Sequence, residues 1–426
     1  MSISWTVNGM NYFKKYRMLS EQAIKCWHLG QIIVQEILII VAFVLFFKIK
    51  PLTKSRLGAI IVLPILFILV LLQLTLLYEK HPERKLVYFN HYFQSVNILL
   101  CFFVLLTLEA AFIKILNNKN AIFLLILLTL YELIMLLPMA ELAWGKIKNP
   151  IGQIITLLSF ASLIVSLPEI LTMDSHSWLQ VLNTTGITGS ICFVISSIVV
   201  MKSWHYQNPS LRISPRAKYS VLAVIFIFII TDCLINAFNA ADNLGQLLTR
   251  WDFHITTKHV TQYICQGIEA GVAEEWLMRF CVLSILLKIF KNSKNQVLLA
   301  VLLDGLLFGS IHLTNALMQP LSATILQMIN AFAAGIVFAA VYLYTGSFLV
   351  NLGYHAVYDI LAFLATGSTV MTVPHIFDWE YLFITTLIYL AFAFFLLSGK
   401  RKSVIEYNLQ QWGLENNHAA SDLTFR

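Results

Sequence analysis

The chain has 426 residues, 58% of them hydrophobic and only 12% charged. An ordinary soluble domain is about 25% charged, so the composition excludes a soluble globular protein and indicates an integral membrane protein. The formal net charge of +7 comes from Lys and Arg set in short clusters between apolar runs, the pattern of loops flanking membrane helices rather than of a nucleic-acid surface.

Residues 1–30 are polar and aromatic, with Lys14, Lys15, Arg17 and Lys25. They lack an apolar core followed by a cleavage site, so no removable signal peptide is expected and insertion relies on the first span. A span needs about 20 mostly apolar residues. Such runs fall near 31–47, 58–78, 92–113, 121–139, 151–172, 181–201, 219–239, 264–287, 296–313, 322–345, 347–365 and 380–398. They predict an all-α polytopic membrane protein of about twelve transmembrane helices, roughly 11–13. A polar tail covers 401–426. Cys26, Cys101, Cys192, Cys233, Cys265 and Cys281 form no CxxC pair. They read as small packing residues, not as a disulfide framework or a thiolate metal site.

If Lys400, Arg401 and Lys402 are cytoplasmic, so are the loops with Lys288–Lys294, Lys202–Lys218, Lys146, Lys148 and Lys80–Lys85. The loops at 174–180, 314–321 and 366–378 then lie outside and hold no Lys or Arg, as the positive-inside rule requires. Lys48–Arg56 runs against this order. Over 31–240 the acidic residues Glu36, Glu109, Glu132, Glu169 and Asp232 are scattered. Several lie near span ends, where a side chain can reach the interface, and that reading is favoured over a functional one such as a proton relay.

From 260 to 365 the polar residues come in sets at helical spacing. Glu275 and Arg279 are i,i+4, acid first, and can pair on one face. Glu274 is rotated by about 100° from Glu275 and points elsewhere; a carboxylate without a cation in low dielectric is a candidate general base or acid. Phe308 and His312 are also i,i+4, so the ring packs on the imidazole. Asn315, one turn on, can hydrogen-bond a substrate, a water or a neighbouring loop. Asp304 on the same stripe either orients the site or is a satisfied polar residue, the second being favoured. His355 and Asp359 repeat the i,i+4 spacing, which lets the aspartate set the histidine tautomer. Burying these groups on three helices costs several kcal/mol unless they meet, so a shared polar site in a helical bundle of the C-terminal half is expected.

Glu274-Glu275-x-x-x-Arg279, Phe308-x-x-x-His312 and His355-x-x-x-Asp359, in that order on apolar helices, resemble the three motifs of the CPBP family. This family holds the type II CAAX prenyl endopeptidases and the bacterial Abi and lysostaphin-resistance-like proteins tied to bacteriocin maturation and self-immunity. The resemblance covers 260–365 as a CPBP-like intramembrane protease domain, leaves 31–240 unassigned, and is followed by a final helix within 366–400. It implies an endopeptidase acting on a peptide or protein substrate at the lipid bilayer, multi-pass in a bacterial plasma membrane. By that resemblance Glu274 and His312 activate a water, His355 and Asp359 stabilise the oxyanion, and Glu275, Arg279, Phe308 and Asn315 support the site. The last motif position is often Asn in the family; Asp359 here acts either protonated or by orienting His355. No HExxH is present, and a metal-free glutamate–water reaction is favoured; were zinc used, its ligands would be Glu274, His312 and His355. Two readings of another class stand beside it: a catalytically silent scaffold or immunity protein of the same fold, and a transporter. Nothing in the residues specifies an oligomeric state.

Overall fold

The computed structural model describes residues 20–48, 54–79, 84–116, 130, 134, 136–170, 181–182 and 184–416. The regular secondary structure of the described residues is all helical, apart from one isolated bridge between Asn239 and Trp251. The chain divides into two compact units, 1–147 and 148–426.

The N-terminal unit contains α1 (Glu21–Lys48), α2 (Lys54–Leu72), α3 (Lys85–Leu116) and the short α4 (Leu137–Leu142). Its apolar centre joins Ile32, Ile39 and Ala42 of α1 to Leu63, Leu66 and Val70 of α2 and to Cys101 of α3. His28, Gln31 and Gln35 form a buried polar stripe on α1, and His28 Nε2 lies 3.4 Å from the Gln73 carbonyl. Glu36 does not reach an interface as expected. It stands in mid-helix with both carboxylate oxygens buried and without hydrogen-bond partners. The side chains of Glu109, Glu132 and Glu169 lie outside the described residues, as does most of the expected span 121–139.

The C-terminal unit begins with α5 (Pro150–Ile170), α6 (Ile187–Ser203) and α7 (Tyr219–Phe238). Next, α8 (Val260–Glu275) runs through a π-helical segment, Trp276–Val282, into α9 (Leu283–Ile289). Then come α10 (Gln296–Ile311), extended by a 3-10 segment His312–Leu317, α11 (Leu321–Thr345), α12 (Phe348–Thr366), α13 (Ile376–Leu397) and α14 (Lys402–Gln411). Gly346 and Gly367 end α11 and α12 at φ +68° and +66°, the left-handed conformation that lets a helix stop within one residue.

Six helices among the described residues are long and apolar enough to cross a membrane: Glu21–Val44, Tyr219–Phe238, Gln296–Leu317, Leu321–Thr345, Phe348–Thr366 and Ile376–Leu397. Shorter apolar helices are Ile61–Leu77, Pro150–Ser162 and Ile187–Ser203. Six spans are therefore supported among the described residues, and the expected count of about twelve is not confirmed, since runs such as 121–139 lie largely outside them. One difference has a plain cause. The run 264–287 is helical, but Glu269, Glu274, Glu275 and Arg279 make it too charged to count as an apolar span by composition.

Two pairs of glycines set the packing that matters for function. Gly267 and Gly271 lie on the face of α8 that meets α12. A Cβ at Gly271 would stand 2.9 Å from both the Cβ and the backbone nitrogen of Ala356, and one at Gly267 would stand 2.8 Å from the Ile360 nitrogen. Gly305 and Gly309 do the same for α10 against α11, where added Cβ atoms would lie 2.9 Å from the Phe332 carbonyl and 2.6 Å from the Met328 carbonyl. Small residues four apart let membrane helices approach backbone to backbone. Here they bring α8 against α12 and α10 against α11.

Candidate active site

Glu274 and Glu275 are the last residues of α8, where the helix passes into its π turn. A π turn carries an extra residue and recurs at functional sites. Arg279 lies inside it, and its Nε donates to Glu275 Oε2 at 3.0 Å. The i,i+4 pair read from the sequence is present. Glu275, Arg279 and Asp304 have no exposed side-chain surface at all.

The pair is part of a larger set. Arg279 Nη1 also donates to Asp304 Oδ2, so Asp304 is a polar residue satisfied by an ion pair with the arginine. Its Oδ1 is buried without a hydrogen-bond partner. The guanidinium lies over the rings of Phe308 and Phe338, 5.1 and 5.5 Å from their centroids. One cation thus sits between two carboxylates and two aromatic faces, which offsets much of the cost of burying it. Asn351, one turn before His355 on α12, donates its Nδ2 to Glu275 Oε2 at 3.1 Å and to the Phe338 carbonyl at 2.7 Å.

Glu275 has a second role that spacing along one helix did not reveal. Its Oε1 lies 2.9 Å from His355 Nδ1. An Nδ1–H donated there fixes the orientation of the ring and directs Nε2 at two other carboxylates, Asp359 Oδ2 at 3.4 Å and Glu274 Oε2 at 3.8 Å. The imidazole is held flat by the Phe338 ring, stacked at 5.1 Å and 22°, and edge-on by Phe308 at 5.9 Å and 89°. Phe338 and Asn351 are the supporting residues that the motif reading passed over. Asn351 was visible as a polar residue on the His355 stripe; Phe338 had no signal in a run of apolar residues.

Glu274 and Glu275 differ as their rotation predicted. Glu275 is closed off, whereas the Glu274 side chain keeps 30% of its surface open and makes no ion pair with a Lys or Arg among the described residues. Its Oε2 is buried and has no hydrogen-bond partner. Both His312 and His355 lie within electrostatic reach of it. His312 is the first residue after α10; its Nδ1 is 2.8 Å from the Phe308 carbonyl and its ring meets the Phe308 ring edge-on at 5.0 Å. An Nδ1–H donated to that carbonyl leaves Nε2 with a free lone pair. Asn315 bonds a helix rather than the neighbouring loop that was one of its open alternatives: its Nδ2 donates to Gln327 Oε1 of α11 at 2.9 Å, which also accepts from Gln319 Nε2 at 2.8 Å.

Among the described residues no group of three or more His, Cys, Asp or Glu side chains stands in an arrangement that would hold a metal ion; the Nδ1 contact of His355 to Glu275 leaves its Nε2 facing the site and is neutral on this point.

Residues 256–361 match the family described as Type II CAAX prenyl endopeptidase Rce1-like. The matched segment contains every motif residue from Glu274 to Asp359, and it agrees with the CPBP resemblance carried by those motifs. No curated protein and no solved structure shows significant similarity to the chain.

Proposed function

We propose that the C-terminal unit is an intramembrane endopeptidase that hydrolyses a peptide bond in a membrane-anchored peptide or protein by glutamate-activated water. The observation that carries this reading is the contrast between two adjacent glutamates. Glu275 is consumed in holding Arg279, Asn351 and His355, while Glu274 is partly open and has a buried oxygen without a partner, facing the same imidazole from the other side.

The reaction uses that asymmetry. A water between Glu274 and His312 gives a proton to the Glu274 carboxylate as its oxygen bonds to the scissile carbonyl carbon. The carbonyl π electrons move onto the oxygen, and the oxyanion is met by the N–H of His355 Nε2, the ring being the imidazolium that carries a proton on both nitrogens. Glu274 then passes its proton to the amide nitrogen, the oxyanion re-forms the carbonyl as the C–N bond breaks, and a carboxylic acid and an amine leave, the acid giving its remaining water-derived proton to the amine. Asp359, beside His355 Nε2, acts by orienting that nitrogen, which removes the need for a protonated aspartate. No step requires a metal. The match to a prenyl endopeptidase family supports a substrate held by an apolar anchor at the membrane; a prenyl group is one such anchor and not a requirement of the chemistry.

The test is cleavage of a panel of membrane-anchored peptides by the purified chain and by His312→Ala, each with and without a chelator. Cleavage lost in the variant and unaffected by chelator supports the proposal. Loss with chelator overturns the metal-free chemistry, and absence of cleavage by the wild type favours a silent scaffold or immunity protein of this fold.

A further inference from the structure

Asp232 is the only charged residue of α7. It was expected to reach an interface. Instead both its oxygens accept short hydrogen bonds from tyrosines of two other helices: Tyr354 Oη of α12 donates to Oδ2 at 2.6 Å, and Tyr389 Oη of α13 donates to Oδ1 at 2.7 Å. Three membrane helices are thus joined at one carboxylate. A carboxylate inside a span is costly and persists where it has specific partners.

The location of this junction matters more than its strength. Tyr354 immediately precedes His355, and Tyr358 immediately precedes Asp359. On α12 the tyrosines make one stripe and Asn351, His355 and Asp359 the adjoining one, about 100° around the axis. The second stripe is held from α8 by Glu275, through Asn351 and His355. The first is held by Asp232, and also through Asn330 Nδ2, 3.4 Å from Tyr358 Oη. The Tyr354 ring meets Phe338 edge-on at 4.7 Å, and Phe338 is the ring stacked on His355. A helix with its side chains has a radius of about 5–6 Å, so a roll of about 10° moves a side-chain tip by about 1 Å. A displacement of that size costs about 100-fold in rate when it separates reacting groups.

We infer that Asp232 is a positioning residue for the reaction: through Tyr354 and Tyr389 it sets the rotation of α12 and so the aim of His355 and Asp359 at the substrate. The inference rests on the endopeptidase reading for its kinetic consequence, but not for its geometric one.

The test replaces the whole junction by apolar groups. Asp232→Leu with Tyr354→Phe and Tyr389→Phe removes the carboxylate together with both hydroxyls that donate to it, so none of the three is left as an unsatisfied buried group. Expected is a kcat at least tenfold lower per folded molecule, with KM within about twofold of wild type. A purely structural role would lower the amount of folded protein and leave kcat per folded molecule unchanged. The second readout needs no substrate: the His355 ring N–H resonance in histidine-labelled protein, identified by its loss in His355→Ala. It is expected to shift in the triple variant as the contact to Glu275 loosens. A folded triple variant with wild-type kcat and an unchanged resonance overturns the inference. If the wild type cleaves nothing, a shifted resonance upholds the positioning role while the endopeptidase reading falls, and an unchanged one removes both. Should the triple variant fail to fold, Asp232→Asn decides: it keeps one carbonyl acceptor for two hydroxyls and should lower kcat at least threefold, and an unchanged kcat overturns the inference.

Discussion

His355 Nδ1 and Glu275 Oε1 lie 2.9 Å apart on two helices that touch backbone to backbone. This contact ties the ion-pair set around Arg279 to the imidazole that faces Glu274. Each half can therefore be disturbed through the other, and the consequences differ by residue.

Removing Arg279 should harm the fold more than neutralising Glu275. Arg279→Ala leaves Glu275 and Asp304 buried with no cation between them, a change expected to cost about 3–5 kcal/mol. Glu275→Gln leaves one arginine facing one aspartate, a balanced pair, and should cost less. Thermal unfolding of the two variants in the same detergent checks the order. A less stable Glu275→Gln would mean that the His355 contact, not the ion pair, dominates.

Gly271 should tolerate no side chain, although the nearby Gly353 should. A Cβ at Gly271 meets Ala356 at 2.9 Å, partly against backbone, while one at Gly353 meets nothing within 4 Å. Gly271→Ala should force α8 from α12 at a cost of about 1–3 kcal/mol and lower cleavage per folded molecule. Gly353→Ala should be neutral or stabilising by up to about 1 kcal/mol, the helix-propensity difference. Equal behaviour of the two would contradict the close approach of these helices.

Asp359 should be replaceable by asparagine. Its Oδ2 lies 3.4 Å from His355 Nε2, and a neutral carboxamide can orient the same nitrogen. Asp359→Asn is expected to keep cleavage within about tenfold of wild type, whereas Asp359→Ala should lose about 100-fold or more, the range for removing one group that supports an oxyanion site. Initial rates at saturating substrate measure both. An inactive Asn variant would require the aspartate to carry charge or a proton in the reaction.

What the sequence revealed and what it hid follow from the reach of helical periodicity. Glu275–Arg279 and Phe308–His312 are pairs within one turn, and both contacts are present as their spacing predicts. The helices α7, α11 and α12 match the apolar runs 219–239, 322–345 and 347–365 to within a residue or two. Contacts between helices were not legible in this way. Arg279–Asp304, Glu275–His355 and Asp232–Tyr389 join residues 25, 80 and 157 positions apart. The Glu275–His355 contact has a local trace in Gly267 and Gly271, which mark the face along which α8 meets α12; the other two have none of this kind. The π turn was also hidden, because its extra residue alters the rotation of the chain after Glu275 without altering the composition.

The most direct measurement is single-turnover cleavage of a membrane-anchored peptide by Glu274→Gln and Glu275→Gln, each normalised to folded protein. With Glu274 as the base that takes the proton from water, its glutamine variant should be folded like the wild type and lose at least about 100-fold in rate, the lower range for a positioned general base. Glu275→Gln should lose folded protein first and keep a larger share of the rate per folded molecule. Full cleavage by a folded Glu274→Gln variant would contradict the role given to this residue and return the opening of the site to another group.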